Sequence, residues 1–155
     1  GDLSLRQLDL AAMTGVFDFG EITGRLDGDV TGLRLVDWSP VAFKATLRTR
    51  GDGRISQRAV DNLTSVGGGG IAGGLQGAML KLFKSFGYSR IGLSCALQGD
   101  VCTMGGLEPA GDGYLIVDGR GLPHLKVVGH QRKVSWSTLV QRLQAATHGA
   151  APVIK

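Results

Sequence analysis

Residues 40–50 read Pro-Val-Ala-Phe-Lys-Ala-Thr-Leu-Arg-Thr-Arg, and the alternation within them leaves little choice of local structure. Val41, Phe43, Ala45 and Leu47 share one parity, while Lys44, Thr46, Arg48 and Arg50 share the other. A period of two places successive side chains on opposite faces of a strand, so one face is dry and the other wet. Upstream, Ile22, Leu26 and Val30 keep a single parity around Gly24, Gly28 and Gly32, and then Leu33 and Leu35 switch to the other. A bulge near Gly32 accounts for the switch, because one extra residue reverses which side chains face the core. Residues 1–54 therefore read as antiparallel strands.

Helical spacing follows. Ile55, Ala59, Leu63 and Val66 recur at four, four and three residues, with Ser56 placed to cap the helix and Gly67 just beyond its last apolar position. After the run Gly67, Gly68, Gly69 and Gly70, a second stripe of Leu75, Met79, Leu82, Phe83 and Phe86 predicts another helix, ended by Gly87. The glycines then form a hinge between two central helices, which together occupy 55–87. Strand pattern resumes at 88–133, with Tyr114–Val117 and Leu125–Val128 separated by a turn at Gly119–Pro123. Ser135 is placed to cap a last helix over 134–148 that uses Trp136, Leu139, Val140 and Leu143, and 149–155 is a tail. The fold class expected is α+β, built on an antiparallel sheet.

A chain of 155 residues with 43% hydrophobic composition can bury the core of one domain. Twenty-six glycines against four prolines favour strands and tight turns over a disordered linker. The formal charge of +4 suits an anionic partner, but the basic residues are scattered and not interleaved with aromatics, which argues against nucleic acid. Attraction to anionic lipid headgroups fits the same balance. No apolar run reaches the roughly 18 residues of a membrane span. The opening Gly1-Asp2-Leu3 falls in mid-pattern, as expected of a fragment of a longer protein.

Gly68, Gly70 and Gly73 match G-x-G-x-x-G, yet a dinucleotide loop needs a strand before the first glycine and an acidic residue about 20 positions later. Both conditions fail here, and the Gly-Lys-Ser/Thr of a phosphate loop is also missing. His124, His130 and His148 lack the short spacing of a zinc site. Asp27 and Asp29 share a strand face, where carboxylates ordinarily mark the solvated side of a sheet. No serine sits in a G-x-S-x-G elbow. The expectation is a protein that is not an enzyme and uses neither cofactor nor metal.

Cys95 and Cys102 flank a hairpin in GLSCALQGDVCTMGG. With Gln98-Gly99 as the two-residue turn, the two cysteines stand directly opposite one another and can form a disulfide, which implies an oxidising compartment. Two small buried thiols are the other reading.

The segments ISQRAVDNLTSVGG, FKSFGYSRIGLSCALQGDVCTMGG and YLIVDGRGLPHLKVVG, followed by VSWSTLVQRL, resemble the C-terminal region of YdbH-type proteins of the AsmA-like group. The resemblance spans about 24–143 and is most specific at Phe-Gly-Tyr and the two cysteines. It implies a single domain over 1–155 that is the C-terminal part of a long periplasmic protein anchored in the inner membrane. It further implies a curled, taco-like β-sheet whose hydrophobic groove carries phospholipid between inner and outer membranes. The partner it implies is a small outer-membrane lipoprotein of the YnbE type, and the alternative function is an interaction module that accepts such a partner by β-strand addition. In this reading Leu26, Val30, Val41, Phe43, Ala45 and Leu47 line the groove, while Leu75, Met79, Phe83 and Phe86 cover it or touch the membrane.

Overall fold

A computed structural model describes residues 1–68, 70–71 and 82–147; of residues 70 and 71 it describes the backbone alone. The chain is α+β: the described residues form an open, curled and mainly antiparallel sheet accompanied by three helices. The strands are β1 (Leu3–Asp9), β2 (Arg25–Val36), β3 (Ser39–Arg50), β4 (Gly53–Ser56), β5 (Gly70–Ile71), β6 (Ser85–Gln98), β7 (Val101–Gly106), β8 (Pro109–Ala110), β9 (Gly113–Arg120), β10 (Lys126–Gly129) and β11 (Lys133–Ser135). The helices are α1 (Leu10–Phe17), α2 (Gln57–Gly67) and α3 (Trp136–Ala146).

β6 organises the sheet. Its N-terminal half pairs with β4 on one side and β9 on the other, and its C-terminal half pairs with β3 and β7. Beyond β3 the sheet continues through β2 to β1, which among the described residues is bonded to β2 alone. Beyond β9 it continues through β10 to β5, and β11 extends it past β7.

The predicted alternation at 40–50 forms β3, and the bulge expected near Gly32 is present, with the β2–β3 register shifting between Thr31 and Arg34. Gly32 has a φ of +64°, a conformation that glycine adopts without steric cost. Ser56 caps α2 by accepting the Ala59 N–H, and Ser135 caps α3 by accepting the Thr138 N–H.

Three expectations need correction. Residues 10–17 form a helix instead of strand: Asp9 accepts the N–H groups of Ala11 and Ala12, and Asp18 closes the helix in the left-handed region. The second central helix does not extend to Phe86. Ser85–Tyr88 pair with β4, with Phe86 opposite Ile55, and Phe86 and Tyr88 are buried two residues apart. The period-two relation of Phe86 to Tyr88 thus prevails over the i, i+3 relation of Phe83 to Phe86, because pairing with β4 satisfies the backbone while burying both rings. Leu75 and Met79 lie outside the described residues. Finally, the turn after β6 is Gly99-Asp100, not Gln98-Gly99, with Gln98 paired to Val101. Gly99 has a φ of +65°, and a two-residue turn of the II′ kind needs its glycine at the first central position. Cys95 consequently faces Met104 and Cys102 faces Leu97. The cysteines are diagonal neighbours on one face, with Cα atoms 5.5 Å apart, and the disulfide between them is formed.

The core lies between the sheet and α2. Ile55, Ala59, Ile116, Val117, Leu125 and Val127 are wholly buried there. Two tyrosines complete it: Tyr88 donates to the Thr23 carbonyl oxygen at 2.5 Å, and the Tyr114 hydroxyl lies 3.1 Å from the Gln131 carbonyl. Burial pushes both phenols above their ordinary value of 10.0, with Arg142 and Arg132 partly opposing the shift at Tyr114. A phenol raised in the folded state contributes stability that is fully present below the unfolded value and is lost as pH rises toward the folded one. These are the chain's two tyrosines, so tyrosinate absorbance should appear late in an alkaline titration, together with loss of the sheet's circular dichroism above pH about 10.

Candidate functional site

Cross-strand register turns the apolar parity of β3 into a continuous surface. One row runs Leu3, Val30, Ala45, Cys95 and Met104 across β1, β2, β3, β6 and β7. The next runs Leu5, Gly28, Leu47, Leu93 and Gly106 across the same strands. A third joins Phe43, Leu97, Cys102 and Val134 from β3 to β11. Six strands, β1, β2, β3, β6, β7 and β11, thus present one dry face, and directly opposed side chains on it are close enough to pack.

The two ends of this face differ in cover. Toward β7 it is roofed by Val66 of α2 and by Trp136, Leu139 and Leu143 of α3. Between roof and floor lies a recess of about 190 Å³, its floor formed by Phe43, Ala45, Leu47, Leu93, Cys95 and Met104. Phe43 and Trp136 meet edge to face with ring centres 5.5 Å apart, which fixes α3 against β3. Toward β1 the face is open: Leu3 is 54% exposed and Leu5 38%. Leu47 and Leu143, 38% and 40% exposed, belong to both the recess and the solvent boundary.

The reverse side of β1–β3 is charged. Arg6 pairs with Asp29, and Arg50 with Asp27. Arg50 chiefly holds the Asp27 carboxyl below the ordinary carboxylate range, aided by the Gln7 N–H; Ser4 and then Arg6 do the same for Asp29. Both aspartates are therefore ionised and satisfied, as a solvated sheet face requires. Among the described residues no group of three or more His, Cys, Asp or Glu converges as metal ligands would.

Three of the six residues expected to line a groove, Phe43, Ala45 and Leu47, meet in the recess. Val30 lies beside Ala45 and is half-buried. Leu26 is buried at 7% exposure in the row Leu8, Leu26, Thr49. Val41 is displaced: the β2–β3 register shifts again between Arg34 and Leu35, Val41 is the extra residue, and it lines an open depression with Thr31, Arg34 and Lys44 instead. Phe83 is 40% exposed, whereas Phe86 is 2% exposed in the core and is not available as a cover.

Of the expected hinge, Gly67 ends α2 and Gly68 caps it at φ +60°. A Cβ at Gly67 would come within 2.7 Å of the Ile116 side chain, so its small size serves close packing of α2 on the sheet. Gly69 lies outside the described residues, and Gly70 begins β5 opposite Val128. Sequence reasoning passed over Leu3 and Leu5, whose spacing of two was a usable signal, and over the roof residues Val66, Leu139 and Leu143 as partners of β3. No known protein family, curated protein or solved structure matches this chain.

Proposed function

We propose that the dry face and its recess receive phospholipid acyl chains, and that the chain is the C-terminal part of a periplasm-spanning bridge of the YdbH type. The observation that supports this most directly is the row from exposed Leu3 through Val30 and Ala45 to Cys95 and Met104, which leads from solvent to the roofed recess without an intervening charge. An acyl chain leaving water gains about 0.8 kcal/mol per methylene buried on such a surface. The charged reverse face stays hydrated, so lipid is confined to one side of the sheet. Passive movement of this kind needs no nucleotide or metal. The disulfide accords with an oxidising periplasm.

The β1 edge supports the accompanying proposal that a YnbE-like lipoprotein adds a strand and continues the dry face toward the outer membrane. Among the described residues β1 pairs on one side only, and such an edge offers backbone groups to an incoming strand. A lipoprotein peptide that failed to protect the β1 amides from hydrogen exchange would remove this part of the reading.

Leu47→Asp tests the lipid reading with little risk to folding. At 38% exposure the substitution should change stability by less than about 1 kcal/mol, while a carboxylate at the mouth of the recess repels acyl chains. Native mass spectrometry of the parent should recover bound phospholipid, and the variant should lose most of it. Absence of phospholipid from the parent, or equal retention by the variant, would sink the proposal.

A further inference from the structure

The β2–β3 turn is built against its own backbone preference. Asp37 and Trp38 have φ values of +51° and +66°, so the turn is of the I′ kind, which Asn-Gly fills most easily. Here the second position carries a tryptophan. A bulky side chain in the left-handed region costs backbone energy that glycine would not. Its ring recovers little of that cost by packing, since Trp38 is 90% exposed. Flanking it, Val36 is 55% and Leu35 45% exposed. The adjoining β6–β7 turn lies at the same end of the sheet, held by the Gly99 N–H on the Val41 carbonyl at 2.9 Å, and adds Val101 at 43% exposure.

Cations follow along the hairpin behind this apolar tip, Arg34 four and Lys44 six residues from Trp38. Arg34 and Lys44 line one open depression whose lining contains no carboxylate, and among the described residues neither forms an ion pair. Asp37 and Asp100 occupy the two turns, which disfavours entry into hydrocarbon and sets the depth at headgroup level. Asp2 is engaged by the Gly32 N–H. A hairpin tip with an exposed indole, two aliphatic neighbours and basic residues farther back along its strands matches the layered polarity of a bilayer interface, where tryptophan is enriched and phosphates lie just outside.

We propose that the β2–β3 hairpin tip docks this domain on a phospholipid bilayer, with Trp38, Val36 and Leu35 entering the interface and Arg34 and Lys44 meeting lipid phosphate. In this proposal the strain of Trp38 in its turn is offset by binding to the membrane. This inference does not rest on the acyl-chain reading, because the tip and the recess share no side chain that either argument uses.

Flotation of the whole chain with vesicles of phosphatidylethanolamine and phosphatidylglycerol tests it, alongside vesicles of phosphatidylcholine alone. The parent should float with the anionic vesicles, and brominated acyl chains should quench its blue-shifted tryptophan fluorescence. Trp38→Gly should float about tenfold less, melt no lower than the parent and keep any phospholipid that co-purifies in the recess. Arg34→Gln combined with Lys44→Gln should weaken flotation on the anionic vesicles and leave the phosphatidylcholine result unchanged. A parent that floats with neither vesicle, or a Trp38→Gly variant that floats equally well, overturns the proposal. Concentration-dependent self-association of the parent that Trp38→Gly abolishes, without flotation, would identify a second copy as the occupant and overturn it equally.

Discussion

Phe43→Asp is expected to destabilise the chain by about 3–5 kcal/mol and to abolish uptake of acyl chains. Two losses combine. The ring leaves its edge-to-face contact with Trp136, so α3 loses its main attachment to β3. The new carboxylate then stands beside Ala45, Leu97 and Trp136, on a face whose rows offer it no cation. Its escape is to protonate or to swing toward solvent, and either response opens the roof of the recess. Chemical denaturation of the variant measures the first effect, and lipid content by mass spectrometry the second. The pair with Leu47→Asp is informative because the two substitutions make the same chemical change on the same face at different depths. Lipid loss shared by both, with a large stability loss confined to Phe43→Asp, separates a lipid-binding role from a structural one. A Phe43→Asp variant as stable as the parent would mean that α3 is not seated on β3 through this contact.

The strand face and the caps were legible because they depend on short-range rules. Period two in 40–50 predicted β3, Ser56 and Ser135 identified two helix starts, and the parity switch at Gly32 located a bulge. The α1 helix was missed although Asp9 before Leu-Ala-Ala-Met is a strong start signal. Its eight residues supply too few turns to show an apolar stripe amid strand pattern. The reach of β6 back to Ser85 was hidden for a different reason: Phe83 and Phe86 satisfy a helical spacing locally, and only the pairing of Phe86 with Ile55, 31 positions away in sequence, decides for strand.

The candidate site shows the same division. Alternation correctly placed Phe43, Ala45 and Leu47 on one face, but it could not detect that the second register shift removes Val41 from that face. Nor could it show that Leu3 and Leu5 align with Val30 and Gly28, since register is a relation between strands and not within one. The roof over the recess is a tertiary contact between helix stripes already visible in the sequence and strands already visible beneath them. What the stripes lacked was an address. The cysteine pair carried some of that information: a bond between diagonal positions pins β6 against β7, and thereby the floor on which α3 rests.

Ile55→Ala should be the most damaging change outside the candidate site, costing about 3–4 kcal/mol. Ile55 has no exposed surface; it pairs with Phe86 across β4 and β6 and bridges to Ile22. The cavity left by truncation cannot easily collapse, because the next residue, Ser56, caps α2 and holds the chain there, and Ala59 and Val60 follow in full burial. Urea unfolding should shift to a lower midpoint with an unchanged slope, since the surface exposed on unfolding is nearly the same. The variant also tests whether the two halves of β6 unfold as one unit. Trp38 is already exposed in the native state, so the change in tryptophan fluorescence on unfolding reports mainly on Trp136, at the recess, while far-ultraviolet circular dichroism reports on the whole sheet. Coincident transitions from both probes, each lowered by the same amount, would show that a cavity at Ile55 is felt at the far end of the sheet. Separate transitions would show that the recess and its floor fold independently of the Ile55 core, and the long β6 strand would then be a connection between two cooperative units.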